Sequence, residues 1–216
     1  MKIAEDALKH VQRTRIIAIL RGQLLGRELE IGAALVEGGI TSIEVSAVTL
    51  DYAKIIRLLQ RTFGERASIG VGTVLTEGEL HAAADAGAAF VVSPNTNRVI
   101  IAESRRLGLA SFPGAYTATE IIQAMDSGAD AVKVFPAVSL RPDYIKALRG
   151  PLPHARLVPT GGIDLSNISS FLRAGSFAVG VGSELVGKAD MEAHEQSVLA
   201  GKARAFAQVA SEAMHG

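Results

Sequence analysis

A lysine lies in the middle of an apolar run, in the stretch GADAVKVFPAVS at residues 128–139. Lys133 has apolar residues on both sides. A buried ammonium group without a partner is costly, and two interpretations are open. Either the side chain extends to a carboxylate at the surface, or burial lowers its pKa from about 10.4 towards neutrality. In the second case Lys133 carries a free amine that can attack a carbonyl carbon.

A second charge, Glu44, lies in the apolar run TSIEVS at residues 41–46. A buried ion pair between Glu44 and Lys133 is one explanation, although such a pair costs desolvation on both sides and is weak evidence of stability. The other explanation is catalysis. The lysine would form a Schiff base with a carbonyl substrate, and the carboxylate would transfer protons.

Polar or aromatic residues also stand at the ends of other apolar runs. Arg21 could bind a carboxylate or phosphate with two hydrogen bonds, or could be a solvated loop residue. Thr73 could donate to a carboxylate, or could cap the next helix. Phe135, which precedes Pro136, could wall an apolar pocket or simply end its strand, because proline cannot donate to a strand ladder.

Two glycine-containing turns follow the last two apolar runs, at Thr160-Gly161-Gly162 and at Gly182-Ser183. Glycine lets backbone N–H groups approach an oxyanion closely, which suits a phosphate site. Tight turns between a strand and a helix would also explain the glycines. The signal is therefore the pair of neighbouring turns and not either turn alone.

The elements that position these residues follow from the hydrophobic pattern. Eight runs rich in Val and Ile are too short for helices and are predicted as buried strands, at 15–20, 41–46, 67–72, 89–93, 109–112, 130–135, 156–160 and 177–182. Segments of helical period separate them, and several end in glycine, at 28–39, 51–63, 77–87, 97–108, 118–128, 141–150 and 165–175.

The strands start roughly 20 to 27 residues apart, the period of a strand–helix unit, which predicts an α/β fold. We expect one domain over residues 1–216, a single (β/α)8 TIM barrel with an N-terminal helix and a closing C-terminal helix over 191–216. A doubly wound open sheet is the alternative. In a barrel the active site lies at the C-terminal ends of the strands, where all the candidate residues would meet.

Composition narrows the class of protein. The 22 basic and 22 acidic residues cancel, so no binding to nucleic acid or to a membrane surface is expected. No apolar run approaches the roughly 18 residues of a membrane span, and we expect a cytoplasmic protein. There is no cysteine, and the five histidines lack ligand spacing. Together with the absence of nucleotide-binding glycine motifs, this predicts no metal and no cofactor.

Several motifs, each weak alone, together resemble one known family over residues 16–186. It comprises the aldolases of 2-keto-3-deoxy-6-phosphogluconate (KDPG), of 4-hydroxy-2-oxoglutarate (KHG) and of 2-keto-3-deoxy-6-phosphogalactonate. The motifs occur in the family's order: IEV with Glu44, VGTVL with Thr73, VVSPN with Pro94, FPGAYTATE, KVFPA with Lys133, VPTGGI and VGVGSELV.

The resemblance implies a class I aldolase on a (β/α)8 barrel, a homotrimer without metal or cofactor whose ligand is a small keto-acid phosphate. Lys133 would form the Schiff base, and Glu44 would act as general acid and base through a water. Arg21 and Thr73 would contact the keto-acid end. The remaining substrate-binding positions would be Pro94, Phe135, Thr160, Gly161, Gly162, Gly182 and Ser183, with the phosphate at the glycine turns.

The implied reaction cleaves a KDPG-like acid to pyruvate and glyceraldehyde 3-phosphate, and extends to cleavage of KHG to pyruvate and glyoxylate. The run after Glu44 departs from the family, because Val48 or Ala47 stands where the gluconate branch has an arginine for the keto-acid carboxylate. The ILRG run with Arg21 resembles the galactonate branch, and PTGG resembles the gluconate branch. A 2-keto-3-deoxy-6-phosphogalactonate aldolase is therefore an alternative.

Two further alternatives do not involve a Schiff base. One is a phosphate-binding isomerase or lyase in which Lys133 only attracts the substrate. The other is a non-catalytic barrel that binds keto acids or sugar phosphates.

Overall fold

The computed structural model describes residues 2–24, 26–192 and 195–215. Its strands are short, and every residue in them is buried, which is why they appear in the sequence as continuous apolar runs. They are β1 (Ile16–Leu20), β2 (Ser42–Ser46), β3 (Ser68–Gly72), β4 (Phe90–Val92), β5 (Ala110–Phe112), β6 (Gly114–Ala115), β7 (Val132–Val134), β8 (Leu157–Pro159) and β9 (Val179–Val181).

Helices alternate with most of these strands. They are α1 (Lys2–Thr14), α2 (Glu28–Glu37), α3 (Tyr52–Phe63), α4 (Glu77–Asp85), α5 (Arg98–Arg106), α6 (Ala118–Asp126), α7 (Pro142–Arg149), α8 (Ile168–Arg173), α9 (Lys188–Glu192) and α10 (Gln196–His215). Two of them start with a capping box, in which a threonine and a glutamate three residues later bond each other's backbone N–H groups. These pairs are Thr76 with Glu79 and Thr117 with Glu120.

The strands pair in parallel throughout, in two sheets. One has the order β5-β4-β3-β2-β1-β9 and the other has the order β6-β7-β8. In the first sheet Glu44 lies between Ile19 and Gly70 of the neighbouring strands. In the second, Lys133 lies between Gly114 and Val158. The fold is thus α/β with a curled parallel sheet.

The two sheets meet at both of their edges. An isolated parallel bridge joins Thr160, just after β8, to Gly180 of β9. At the other edge, β5 and β6 are separated only by Pro113, whose carbonyl accepts a hydrogen bond from the Lys133 N–H at 2.9 Å. The interruption has a physical reason, since proline has no N–H to donate to the ladder.

Two apolar clusters lie on the two faces of the strands. The larger one fills the layer between the strands and the surrounding helices. The smaller one includes Ile17, Phe90, Phe112 and Val158 from the strands, and it extends to Ala7 and Val11 of α1. Helix α1 therefore packs, through Ala7 and Val11, against this face of the strands.

The structure bears out the predicted alternation of strands and helices, and it differs in two places. The predicted strand 109–112 continues after Pro113 as the separate strand β6. The predicted single closing helix over 191–216 is wrong, because α9 ends at Glu192, Glu195 is not helical and α10 starts at Gln196. Residues 193, 194 and 216 of that prediction lie outside the described residues. Within the described ranges, none of the helices has the length and apolar character that a membrane span requires.

Candidate active site

Glu44 and Lys133 are both buried among the strands, at 2% and 4% exposure. Room for the Glu44 side chain comes from Gly72 on the next strand. A Cβ at that glycine would lie 1.6 Å from Glu44 Oε1. Across the described residues, no carboxylate lies within 4.0 Å of Lys133 Nζ, so the predicted alternative of a contact ion pair is not found.

Burial shifts both of these groups towards their neutral forms. It raises the pKa of Glu44, while Lys133 and Arg21 lower that pKa in part. Burial also lowers the pKa of Lys133, which Glu44 opposes and Arg21 reinforces. Glu44 Oε1 is buried without a hydrogen-bond partner. A lysine with a lowered pKa supplies free amine at a lower pH, and an unpaired carboxyl oxygen is able to take a proton.

Arg21, Thr73 and Ser46 form a hydrogen-bonded chain across the ends of three neighbouring strands. Arg21 Nη2 donates to Thr73 Oγ1 at 3.2 Å, and Thr73 Oγ1 lies 2.9 Å from Ser46 Oγ. Thr73 has φ +60°, in the left-handed region. A β-branched residue in this region stores strain of roughly 1–3 kcal/mol, and such strain concentrates at functional sites.

A cavity of about 420 Å³ opens at the C-terminal ends of the strands. Most of the predicted site residues line it: Arg21, Lys133, Phe135, Thr160, Gly161, Gly162, Gly182 and Ser183. Lys133 Nζ lies at its inner side, 4.8 Å from the centroid of the Phe135 ring. Ile19 also lines the cavity, while Ile17, two residues earlier on the same face of β1, belongs to the interior cluster below.

Three predicted residues do not line the cavity. Glu44 is 2% exposed and is not a lining residue, and Thr73 accepts a hydrogen bond from Arg21, which does line the cavity. Pro94 is half-buried after β4 and packs on Gly114, where an added Cβ would lie 2.3 Å from the Pro94 carbonyl. Gly114 is paired with Lys133, and side chains at paired positions project to the same face of the sheet, so the Pro94 carbonyl lies on the face that carries the Lys133 side chain.

The glycine turns shape one end of the cavity. Gly161 and Gly162 have φ +93° and +74°, values that residues with side chains rarely adopt. A Cβ at Gly182 would meet nothing within 4 Å, so this backbone faces open space. The Gly182 carbonyl accepts from the N–H groups of Leu185 and Val186 at 2.9 Å. The chain thus makes one helical turn, and the first N–H groups of such a turn, here at Ser183 and Glu184, have no acceptor within it.

Gly180 leaves room for the Thr160 side chain, as Gly72 does for Glu44. A Cβ at Gly180 would lie 2.4 Å from Thr160 Oγ1, and this hydroxyl donates to the Val158 carbonyl at 3.2 Å. The hydroxyl is therefore engaged with the backbone, and the residue lines the cavity at 5% exposure.

Two parts of the site were not predicted from the sequence, namely Ser46 and the second wall of the cavity. Ser46 is two residues after Glu44, and side chains at this spacing share a face of a strand, so the sequence did contain this signal. The second wall consists of Gly187, Lys188 and Met191 around α9. Gly187 and Lys188 lie between the last predicted strand and the predicted closing helix, and Met191 was taken as the first residue of that helix, so none of the three was considered as a site residue.

Comparison with known proteins gives the family. The sequence model described as "Aldolase: KDPG and KHG aldolase" matches residues 7–200. The chain belongs to this family. As a KDPG and KHG aldolase family member it is an aldolase, a carbon–carbon lyase, and the predicted aldolase is confirmed over the isomerase and binding-protein alternatives.

Relatives within the KDPG and KHG aldolase family represent both branches. The chain is 34% identical over 171 residues to the 2-dehydro-3-deoxy-6-phosphogalactonate aldolase of Escherichia coli strain K12, which covers 79% of this chain and 83% of that protein. A solved structure named "Native KDPGal structure" has a TM-score of 0.86 at 29% identity and covers 93% of this chain and 96% of its own.

A second solved structure, a KDPG aldolase from Legionella pneumophila, contains a covalent intermediate. It was solved with pyruvate captured at low pH as a covalent carbinolamine intermediate. Its TM-score is 0.84 at 28% identity, and the match covers 93% of this chain and 97% of that chain.

Across residues 2–24, 26–192 and 195–215, no three His, Asp or Glu side chains are grouped so that they could hold a metal ion. The expectation of an enzyme without metal or cofactor stays a prediction.

Proposed function

We propose that this chain cleaves a 2-keto-3-deoxy-6-phospho sugar acid to pyruvate and glyceraldehyde 3-phosphate through a Schiff base on Lys133. The observation that carries the proposal is a lysine amine at 4% exposure that lines a cavity of about 420 Å³ and that no carboxylate of the described residues contacts. A lysine whose pKa is lowered by burial is the usual form of a Schiff-base nucleophile.

The reaction follows from that amine. Lys133 Nζ attacks the C2 ketone, and the oxygen leaves as water, which gives an iminium. The iminium accepts the electrons of the C3–C4 bond as it breaks, while Glu44 takes the C4 hydroxyl proton through a water and the aldehyde leaves. The remaining enamine takes a proton at C3, and hydrolysis releases pyruvate and the free amine.

The two ends of the substrate bind to different parts of the site. We assign the carboxylate end to Arg21, with Thr73 and Ser46 holding the guanidinium in place. This arrangement replaces the arginine that the gluconate branch carries after the glutamate, since Val48 at that place is 63% exposed and does not line the cavity. The phosphate end belongs at the turns of Gly161-Gly162 and Gly182-Ser183, whose backbone approaches open space.

A second candidate function is cleavage of 2-keto-3-deoxy-6-phosphogalactonate, which differs at C4. The observation that favours it is the Arg21–Thr73 contact at the end of the ILRG run, together with the galactonate aldolase among the relatives. Cleavage of KHG to pyruvate and glyoxylate would use the same amine without the phosphate end.

The proposal includes the architecture of the enzyme. We take the two sheets as one closed (β/α)8 barrel of a single domain, which the Thr160–Gly180 bridge and the Lys133–Pro113 hydrogen bond support. We also propose that the enzyme is a homotrimer, as the resemblance implies. A cytoplasmic location belongs to the same proposal, because a substrate with carboxylate and phosphate charges is costly to move through an apolar bilayer.

The test combines trapping with a substrate panel. Pyruvate and borohydride should add mass to the peptide containing Lys133, and should add none in Lys133→Met. Lys146→Met, which removes an exposed lysine of α7, is the control and should keep the adduct. The panel contains 2-keto-3-deoxy acids of both C4 configurations, with and without phosphate, assayed for pyruvate release. Turnover without any Lys133 adduct would overturn the Schiff-base mechanism.

A further inference from the structure

One wall of the cavity is formed by the short helix α9 and the residue before it. Gly187, Lys188 and Met191 line the same cavity as Lys133 and Ser183. The wall also touches the second glycine turn, because a Cβ at Gly187 would lie 2.7 Å from the Ser183 carbonyl. Lys188 therefore follows directly after a residue in contact with the turn to which we assign the phosphate.

A helix of five residues does not form by itself, and α9 is held by long-range contacts. Arg27, at 4% exposure, donates from Nη1 to the carbonyls of Asp190 and Met191 at 3.0 and 2.8 Å. Its Nε donates to Glu30 at 2.8 Å. On the other side, the Asp190 carboxylate accepts from the Gly187 N–H at 2.8 Å and from Lys202 Nζ at 2.9 Å.

The cation of α9, Lys188, is bound less tightly than Lys202 of α10. Lys202 is engaged by Asp190. Lys188 pairs with Glu192 at 3.8 Å, one turn along the same helix, and the two side chains are 86% and 56% exposed. Such a pair is worth little and is easily exchanged for a better partner. The charged residues that line the cavity are Arg21, Lys133, Lys188 and the exposed Glu184.

Arg21 is assigned to the carboxylate end of the substrate and Lys133 is buried, so among the described cavity residues Lys188 is the cation available to the glycine turns. We propose that Lys188 contacts the distal anionic group of the substrate and so makes the enzyme prefer a phosphorylated acid over an unphosphorylated one. Arg27 is the positioning residue that holds α9, and with it Lys188, against the cavity. The inference rests on the proposed function and adds a specificity residue to it.

The ammonium acts as a flexible point charge on the phosphate, in addition to the backbone N–H groups of the turns. Because the side chain is exposed, solvent and salt reduce its contribution. We therefore expect Lys188→Met to lower the kcat/KM ratio between a phosphorylated and an unphosphorylated substrate by about three- to tenfold, mainly through KM. Added salt should reduce the preference in wild type more than in this variant.

The experiment measures that ratio in wild type, Lys188→Met, Lys188→Arg and Lys54→Met. Lys54 is the matched control, since its side chain is 80% exposed in a pair with Asp51 and it does not line the cavity. Lys188→Arg should restore most of the preference, and Lys54→Met should keep it. An unchanged ratio in Lys188→Met, or equal losses on both substrates, would overturn the assignment.

A double-mutant cycle with Lys188 tests the positioning role of Arg27. Arg27→Met should lower the same ratio, but it should lower it no further when Lys188 is already methionine, because Arg27 acts through Lys188. Independent, additive losses would show that Arg27 only supports the fold. If Arg27→Met does not fold, as judged by circular dichroism, the Lys188 variants carry the test alone.

A direct titration separates this inference from the proposed function. Inorganic phosphate is titrated into wild type and Lys188→Met by calorimetry, and it should bind the variant severalfold more weakly. If wild type neither cleaves the panel nor is trapped by borohydride, the proposed function fails, and the phosphate titration still decides the role of Lys188. If wild type cleaves the panel and both proteins bind phosphate equally, Lys188 is excluded as a phosphate contact and the aldolase assignment stands.

Discussion

At the scale of single residues, Glu44 and Lys133 shift each other's pKa. We expect Glu44→Gln to keep the size of the side chain while lowering kcat by about 10²–10⁴-fold, the usual scale of general acid–base catalysis. Lys133 would still react with pyruvate. Because Glu44 raises the pKa of Lys133, its removal should move the midpoint of borohydride trapping to lower pH. A variant with near-full turnover, or a midpoint moved to higher pH, would make Glu44 a structural residue.

Arg21 carries the second prediction at this scale. Arg21→Ala should reduce kcat/KM by roughly ten- to a hundredfold, which corresponds to one charge-assisted hydrogen-bonded contact. Arg21→Lys should restore only part, because an ammonium lacks the planar fork of a guanidinium. Arg57→Ala, which removes an arginine bonded to the Asp85 carbonyl, is the control in the same steady-state assay. If Arg21→Ala equals wild type, the carboxylate is bound elsewhere.

The sequence could predict the residue types of this site better than their arrangement. Glu44 and Lys133 stand out because charges inside apolar strands need an explanation. Arg21 was equally consistent with a solvated loop, and only the 3.2 Å contact with Thr73 decides where it points. The φ of +60° at Thr73 could not be predicted, since threonine disfavours that region and tertiary packing has to impose it.

At the scale of elements, the two glycine turns can be separated by the space around them. Gly182→Ala adds a methyl group into open cavity, so we expect near-wild-type thermal stability and a raised KM for a phosphorylated substrate. Gly162→Val places a β-branched residue at φ +74° and within 2.9 Å of Val138, and should cost about 1–3 kcal/mol of stability. Thermal unfolding and steady-state kinetics of both variants provide the measurement. An unchanged KM in Gly182→Ala would speak against a phosphate at this turn.

Predictability also differed between elements. The strands were found because burial on both faces leaves uninterrupted apolar runs, and the helices because their stops are glycines. Helix α9 was not predicted, because a helix of five residues has little local signal in the sequence. It depends on hydrogen bonds from Arg27 and on those of its own Asp190. The break at Pro113 could have been found from the proline, but its partner across the sheet could not.

At the scale of the whole molecule, the buried amine reduces the free energy of unfolding. Lys133 has a lowered pKa in the folded state, so folding releases protons below the unfolded pKa of about 10.4, and stability falls as the pH drops from there. Lys133→Met removes this cost. We expect the variant to unfold at a higher temperature than wild type at pH 7, with a difference that shrinks as the pH approaches 10.

Within the described part of the chain no carboxylate contacts Lys133, so the loss of attraction to Glu44 is the smaller effect, and burial already keeps that carboxyl towards its neutral form. Thermal unfolding of both proteins between pH 6 and 10, followed by circular dichroism, is the measurement. A variant less stable than wild type throughout this range would mean that the pair stabilises the fold.

Helix α1 has a consequence for the order in which the chain folds. It precedes every strand, yet the apolar cluster it joins runs on to Val158 and Ala178. Arg15, just after the helix, donates to the carbonyl of Ser176, 161 residues further along. Contacts across such separations form only after long loops close, and this slows folding. We therefore expect α1 to dock late, so that its amides become protected from hydrogen exchange only after β9 has taken its place.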